Sequence, residues 1–367
     1  MQASQRAIPC AFMRGGTSRG PFFLAADLPQ DIATRDAVLL AVMGSPDPRQ
    51  IDGLGGSDTL TSKVAIVSPS SMPGVDVDFL FAQVAVDKPL VDVSPNCGNM
   101  LAGVGPFAIE RGLVAIRGDS TPVVIHMVNS GNIATATVQT AGGRVVYDGD
   151  ARIAGVPGTS APINIAFRDT AGSACGSLLP TGRTRDVFNG IEATCIDNGM
   201  PVVVMRADAF GKTGQETPQQ LDADAEFKQR LEAVRLQAGE LMGLGDVRNK
   251  VVPKMTLISP AVNGGHISTR TFIPHRCHSA IGVLGAVSVA SACLLPGSVA
   301  EGMTRLPQGA DVEISVEHPS GEFTVALRTE LHTGLHGSEM RFLSSGLLRT
   351  ARMLLDGQVY VPHRVWP

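Results

Sequence analysis

The sequence is poor in charge: only 17% of its 367 residues are Asp, Glu, Lys or Arg, and the formal net charge is −4. It contains no run of Lys or Arg, and a nucleic-acid or membrane-surface partner would call for a basic patch, so neither is expected. Aromatic residues are scarce as well, with one Trp, two Tyr and 13 Phe. The cores must therefore be built from Val, Ile, Leu and Ala. Long hydrophobic runs are missing too. The longest uncharged one, 280–295, has 16 residues rich in Gly, Ala and Ser, too short for a membrane span and suited to a buried helix. The stretch 1–13 has no apolar h-region and no small-residue cleavage site, so no signal peptide is expected, and the expected compartment is the cytoplasm. The six cysteines (Cys10, Cys97, Cys175, Cys195, Cys277 and Cys293) form no C-x-x-C pair. That pattern suggests reduced thiols, not a disulfide framework or a zinc knuckle.

Turn-forming residues are abundant, with 41 Gly and 24 Pro. Together with the low charge they suggest compact units of many short strands, and the length suggests two domains. Strand-like segments read at 8–13, 62–67, 75–86, 123–128, 133–140 and 163–167. In the second half they read at 193–196, 202–205, 251–259, 267–273, 312–316, 323–328, 339–343 and 358–361. Helical patterns cover 31–43, 218–242 and 347–355. Two further helices, over 100–109 and 280–295, are apolar on nearly every side and must be surrounded by protein. Each follows a cysteine, Cys97 and Cys277, and the two cysteines lie half a chain apart. An internal duplication follows as an expectation: two strand-rich units, each around a central helix whose N-terminus faces a shared cleft.

The chemistry-bearing candidates cluster near these helices. At a helix N-terminus the positive end of the dipole and open N–H groups favour a thiolate at Cys97. Asn96, Gly98 and Asn99 around it supply donors and close backbone approach, although most lone cysteines are small buried hydrophobes. Lys63 enters an otherwise apolar strand, which would desolvate the amine and favour its basic form; most lysines are solvated surface charges. Arg14, Thr17, Ser18 and Arg19 lie in a loop with three glycines that resembles an anion cradle. The loop lacks the P-loop spacing, and no G-x-G-x-x-G opens a helix, so a carboxylate is the better ligand and a dinucleotide has no support. His278 and Ser279 read as donors to a substrate carboxylate. The rival is a metal site at His332, His336 and Glu339, or at His275 and His278 beside Cys277. Gly334 and Gly337 break the helical logic of the first set, and no metal is expected.

Three motifs bring a family into view: Met-Arg-Gly-Gly-Thr-Ser-Arg-Gly (13–20), Gly-Ser-Pro-Asp-Pro-Arg-Gln-Ile-Asp-Gly-Leu-Gly-Gly followed by Thr-Ser-Lys (44–63), and Ser-Pro-Asn-Cys-Gly-Asn-Met (94–100). With the closing Arg-Thr-Ala-Arg-Met-Leu-Leu-Asp-Gly-Gln-Val-Tyr-Val-Pro (349–362), the sequence resembles the methylaconitate isomerase family. It looks most similar to the branch that acts on 4-oxalomesaconate in gallate and protocatechuate breakdown. The resemblance implies an α+β, diaminopimelate-epimerase-like fold of two pseudo-symmetric strand-rich barrels, each around an apolar helix, with the active site between them. The domains are expected at 1–187 and 188–349, with 350–367 returning to the first. The resemblance also implies an acid–base pair at Lys63 and Cys97. Substrate contacts would come from Arg14, Thr17, Ser18, Arg19, Ser62, Asn96, Gly98, Asn99, Arg270, His278 and Ser279. It implies no cofactor and a small di- or tricarboxylate as partner, with a homodimer left open. Arg19 stands where the family more often has Lys. Cys277 is followed by His278-Ser279, not by a glycine-rich run, which favours a lysine–cysteine pair over a two-cysteine mechanism. The alternatives are 2-methylaconitate isomerisation in propionate breakdown, an epimerase-type racemase, or a non-catalytic tricarboxylate binder or aconitase accessory.

Overall fold

A computed structural model describes residues 4–94, 96–153, 155–167, 170–304, 306–307, 309–334 and 337–367. The chain forms two compact units, Met1–Ala166 with Leu348–Pro367, and Phe167–Leu347. These bounds differ from the expected 187/188 and 349/350.

The first unit opens with an antiparallel hairpin, β1 (Gln5–Gly15) and β2 (Ser18–Leu24). Helix α1 (Ile32–Met43) follows, capped by Asp31, whose carboxylate accepts from the Thr34 N–H at 2.8 Å. A second hairpin, β3 (Lys63–Pro69) and β4 (Val77–Val84), lays β3 parallel to β2. After the short β5 (Val91–Asp92) comes α2 (Gly98–Glu110), and then a third hairpin, β6 (Ser120–Met127) and β7 (Asn132–Gln139), with β6 parallel to β4. Strand β8 (Ile163–Phe167) ends this part of the chain. Helix α2 is buried from Met100 to Ile109 and packs on β1, β2, β3, β4, β6 and β7. Its apolar sides all meet sheet, as the pattern required. Phe22 of β2 and Phe107 of α2 meet at 5.7 Å between ring centroids, a contact that fixes the helix against the first hairpin.

The second unit repeats this order of pairings. Strands β9 (Asp186–Phe188), β10 (Ile191–Asp197) and β11 (Pro201–Arg206) are antiparallel neighbours. Two helices come next, α3 (Pro218–Ala223) and α4 (Ala225–Leu241). The hairpin β12 (Lys254–Pro260) and β13 (Ile267–Phe272) lies parallel to β11. Helix α5 (Val283–Leu294) precedes β14 (Asp311–His318), which is parallel to β13 and antiparallel to β15 (Gly321–Gly334). Strand β16 (Gly337–Arg349) pairs with β15. In both units a hairpin, a parallel step, a second hairpin, a buried helix, another parallel step and a third hairpin follow one another. This is the duplication that the spacing of the two cysteines suggested.

Three elements differ from the expected ones. The helical pattern 218–242 is two helices, because Asp224 adopts an extended conformation (φ −85°, ψ 95°) that ends α3 and caps α4 through the Phe227 N–H. The segment 347–355 is strand, not helix. Its last residues belong to β17 (Ala351–Pro362), which returns the chain to the first unit and pairs antiparallel with β1 along its whole length. A ladder with β1 overrides the helix propensity of Leu, Arg, Ala and Met there. Helix α5 starts six residues beyond Cys277, at an extended Gly282. Cys277 sits in an isolated bridge with Phe272, so the second cysteine does not begin a helix. Among the described residues no helix is long and apolar enough to cross a membrane.

Candidate active site

The first unit brings most of the expected residues together at the open end of α2. Two glycines set the approach. A Cβ on Gly15 would collide with the Asn99 carbonyl, and a Cβ on Gly20 with the Lys63 carbonyl. The β1–β2 hairpin therefore lies directly against the first turn of α2 and the start of β3. Asn99 ties the two together by donating from Nδ2 to Thr17 Oγ1 at 2.9 Å. Its Oδ1 is buried with no hydrogen-bond partner among the described residues.

Cys97 is the N-cap of α2, with extended backbone at φ −135° and ψ 98°. Its carbonyl accepts from Leu101 N at 3.0 Å, and its Sγ accepts from Met100 N at 3.5 Å. A helix start leaves the N–H groups of Gly98 and Asn99 without intrahelical partners, at the positive end of the dipole. Asn96 is exposed just before the cap.

Lys63, the first residue of β3, is 9% exposed. Its Nζ donates to Gln83 Oε1 at 2.7 Å and lies 5.0 Å from the centroid of the Phe81 ring. Gln83 stands directly opposite Lys63 in the β3–β4 ladder, and its Nε2 donates to Ser62 O at 2.9 Å and Thr59 O at 3.1 Å. The amide is thus held from behind and aims its oxygen at the amine. Among the described residues no carboxylate makes an ion pair with Lys63. Ser62 differs from the expectation of a substrate contact. It is fully buried, donates to Val84 O at 2.8 Å and accepts from Gln50 Nε2 at 2.7 Å, so it braces the loop.

A cavity of about 540 Å³ opens beside this pair, lined among others by Arg14, Thr17, Ser18, Arg19, Ser160 and Arg352. Neither Lys63 nor Cys97 lines it. Thr17 of its lining is bonded to Asn99 in the first turn of α2, and Thr61 of its lining lies two residues before Lys63. Arg14 is fixed by neutral oxygens alone: Gly16 O at 2.9 Å, Thr350 O at 3.2 Å, Thr350 Oγ1 at 2.9 Å and Ser160 Oγ at 3.2 Å. Burial lowers the pKa of Arg14, and the charge of Arg352 lowers it further.

The remaining candidates lie in the second unit. Arg270 of β13 is buried and donates to Glu216 O at 2.6 Å and Thr269 O at 2.9 Å. Cys277 is an un-ionised thiol: burial, with the Asp222 charge adding and Arg270 opposing, pushes its pKa up to about 12. His278 Nδ1 accepts from Ala280 N at 2.9 Å, so that N–H serves a local turn and is not an open helix donor. Ser279 is exposed. Among the described residues no group of three or more His, Cys, Asp or Glu could hold a metal ion. His275 instead lies 3.4 Å from Glu232. The set His332, His336 and Glu339 falls outside the residues whose side chains are described.

Sequence reasoning missed Gln83, Ser160 and Arg352. Gln83 was reachable, since a β3–β4 hairpin places it opposite Lys63. Arg352 was hidden by the helical reading of 347–355.

A duplicated strand-rich unit around a buried helix defines a diaminopimelate-epimerase-like fold, here with a thiol at the first turn of one helix. A solved hydroxyproline epimerase from Agrobacterium vitis, 12% identical, matches over 98% of this chain and 93% of its own with a TM-score of 0.50, a likeness of fold alone. The chain belongs to the PrpF protein family, whose sequence pattern matches residues 5–362. A (4E)-oxalomesaconate Delta-isomerase of Novosphingobium sp. (strain KA1) is 60% identical over 97% of this chain and 98% of its own length. The crystal structure of a methylitaconate-delta-isomerase, 34% identical, matches 99% of this chain and 97% of that chain with a TM-score of 0.83.

Proposed function

We propose that the chain isomerises 4-oxalomesaconate, an unsaturated tricarboxylic keto acid, by moving a proton and a double bond without a cofactor, in the cytoplasm. The observation that carries the reading is that one hairpin, β1–β2, packs against both the start of β3 and the first turn of α2. At the first a poorly solvated amine is aimed by a neutral amide, and at the second a thiol is set on the first N–H groups of a buried helix. An amide acceptor positions the Lys63 nitrogen without pairing its charge.

Lys63 takes a proton from a carbon activated by the adjacent carbonyl, and the electron pair spreads into an extended enolate. The N–H groups of Gly98 and Asn99, with Arg14 and Thr17, hold carboxylates and stabilise that charge. The Cys97 thiol then protonates a second carbon, and the double bond shifts. The Lys63 ammonium and the Cys97 thiolate return to their starting forms by exchange with solvent, so the turnover is an isomerisation with no net redox change. The substrate's own conjugation is the electron sink. Isomerisation of 2-methylaconitate is the second reading within this chemistry.

Purified, chelator-treated protein in D2O, offered 4-oxalomesaconate and 2-methylaconitate separately and followed by proton NMR, tests the proposal. Rapid isomerisation of the first, with deuterium entering at one carbon, is expected. Turnover of 2-methylaconitate alone would keep the mechanism and change the substrate. Silence with both would replace the isomerase with a binding protein.

A further inference from the structure

The β-ladders of the first unit set three arginines in one row. In the β1–β2 register Arg14 stands directly opposite Arg19, and in the β1–β17 register it stands directly opposite Arg352. Residues opposite each other in an antiparallel ladder point to the same face, with Cβ atoms about 4.5–5.5 Å apart, and like charges there are destabilising. All three side chains line the same cavity, where Asp148 supplies the one carboxylate among its lining residues. Among the described residues none of the three arginines is in an ion pair with a carboxylate. Arg14 is turned into place by carbonyl and hydroxyl oxygens, which leave its charge unneutralised. A row of three guanidiniums that the sheet forces together, with one carboxylate in the same cavity and none in an ion pair with the row among the described residues, is a seat for an anion from outside. Arg side chains suit planar carboxylates because they bind them in a bidentate fashion.

We infer that Arg352, completing the row with Arg14 and Arg19, seats the carboxylate that a tricarboxylate has and a dicarboxylate lacks, and so determines specificity for the larger acid. The inference rests on the isomerase reading above for the direction of the substrate. Two carboxylates are held near the helix start by Thr17, Asn99 and the first N–H groups. The third extends into the cavity, away from the reacting carbons. Arg352 is exposed on β17 and contributes no buried contact, so its replacement leaves the fold in place.

The test compares wild type, Arg352→Gln and Arg352→Lys in two measurements. The first is the kinetics of 4-oxalomesaconate isomerisation. The second is calorimetric binding of two saturated probes, tricarballylate with three carboxylates and glutarate with two. Losing a charge-assisted contact should weaken tricarballylate roughly tenfold or more in Arg352→Gln, and should raise the KM for 4-oxalomesaconate more than it lowers kcat. Glutarate should change less than about twofold, and Arg352→Lys should recover part of the loss because it restores the charge without the planar fork. Equal weakening of both probes, no weakening of either, or a loss confined to kcat would overturn the inference, as would failure of the wild type to bind tricarballylate. If the wild type turns over neither acid yet binds tricarballylate through Arg352, the isomerase reading falls and the seat stands.

Discussion

Replacing Gln83 by Glu puts a carboxylate where an amide oxygen now meets Lys63 Nζ at 2.7 Å. The change keeps the length of the side chain and turns a neutral contact into an ion pair, which favours the ammonium. A hydrogen bond to a charged group contributes about 1.5–3 kcal/mol, and each pH unit corresponds to about 1.4 kcal/mol. The ion pair therefore disfavours the free amine that a base must be. If Lys63 is the base, the ascending limb of kcat/KM against pH, which reports the free enzyme, must move upward. At neutral pH the rate should fall about 10- to 100-fold, and much of it should return at higher pH. The variant also loses the two N–H groups that serve Ser62 O and Thr59 O, at a cost of about 1–3 kcal/mol in stability. Melting curves across the same pH range separate that loss from the kinetic effect. An unchanged pH–rate profile in a folded Gln83→Glu protein would refute the assignment of Lys63 as the base.

Other outcomes follow from single contacts. Cys97→Ala should lose at least about 90% of kcat with little change in Tm, since only one weak cap bond to Met100 N is removed; stopped-assay kinetics and a thermal melt check both. Cys277, with its pKa pushed up to about 12 chiefly by burial, carries almost no thiolate at pH 8, and peptide mass spectrometry after brief iodoacetamide treatment should find it unmodified in folded protein. Arg235 is fully buried and donates to the carbonyls of Val247, Lys250 and Val252 while paired with Glu232. Arg235→Ala should destabilise the protein by about 3 kcal/mol, read from urea unfolding.

Much of this was legible in the sequence, for physical reasons that also explain the exceptions. The run 100–109 admits water on no side, so the helix and its burial follow from composition, and the cap falls where Cys97 interrupts the run. In the run 280–295 the apolar residues begin before the helix does, and hydrophobicity cannot distinguish Ile281 outside the helix from Leu284 within it. Ser279, expected as a donor at the helix start, also lies outside the helix. Residues 347–355 failed differently. Local preference there favours helix, and the strand exists only because β1, more than three hundred residues earlier, offers it a partner along its full length. The two ends of that ladder meet in no local window, and Arg352 goes unseen with it. Ser62 was expected from the family resemblance, but it lies in the loop just before β3 and its hydroxyl points into the packing.

The return of β17 to β1 has a consequence for how the protein is made. The first unit is closed by β17, which is translated only after the whole of the second unit. Until then β1 has one bare edge and the arginine row lacks its third member. A nascent or prematurely terminated chain therefore carries Lys63 and Cys97 but has no finished binding wall around them. A fragment ending at the unit boundary should expose a strand edge open to pairing with another chain.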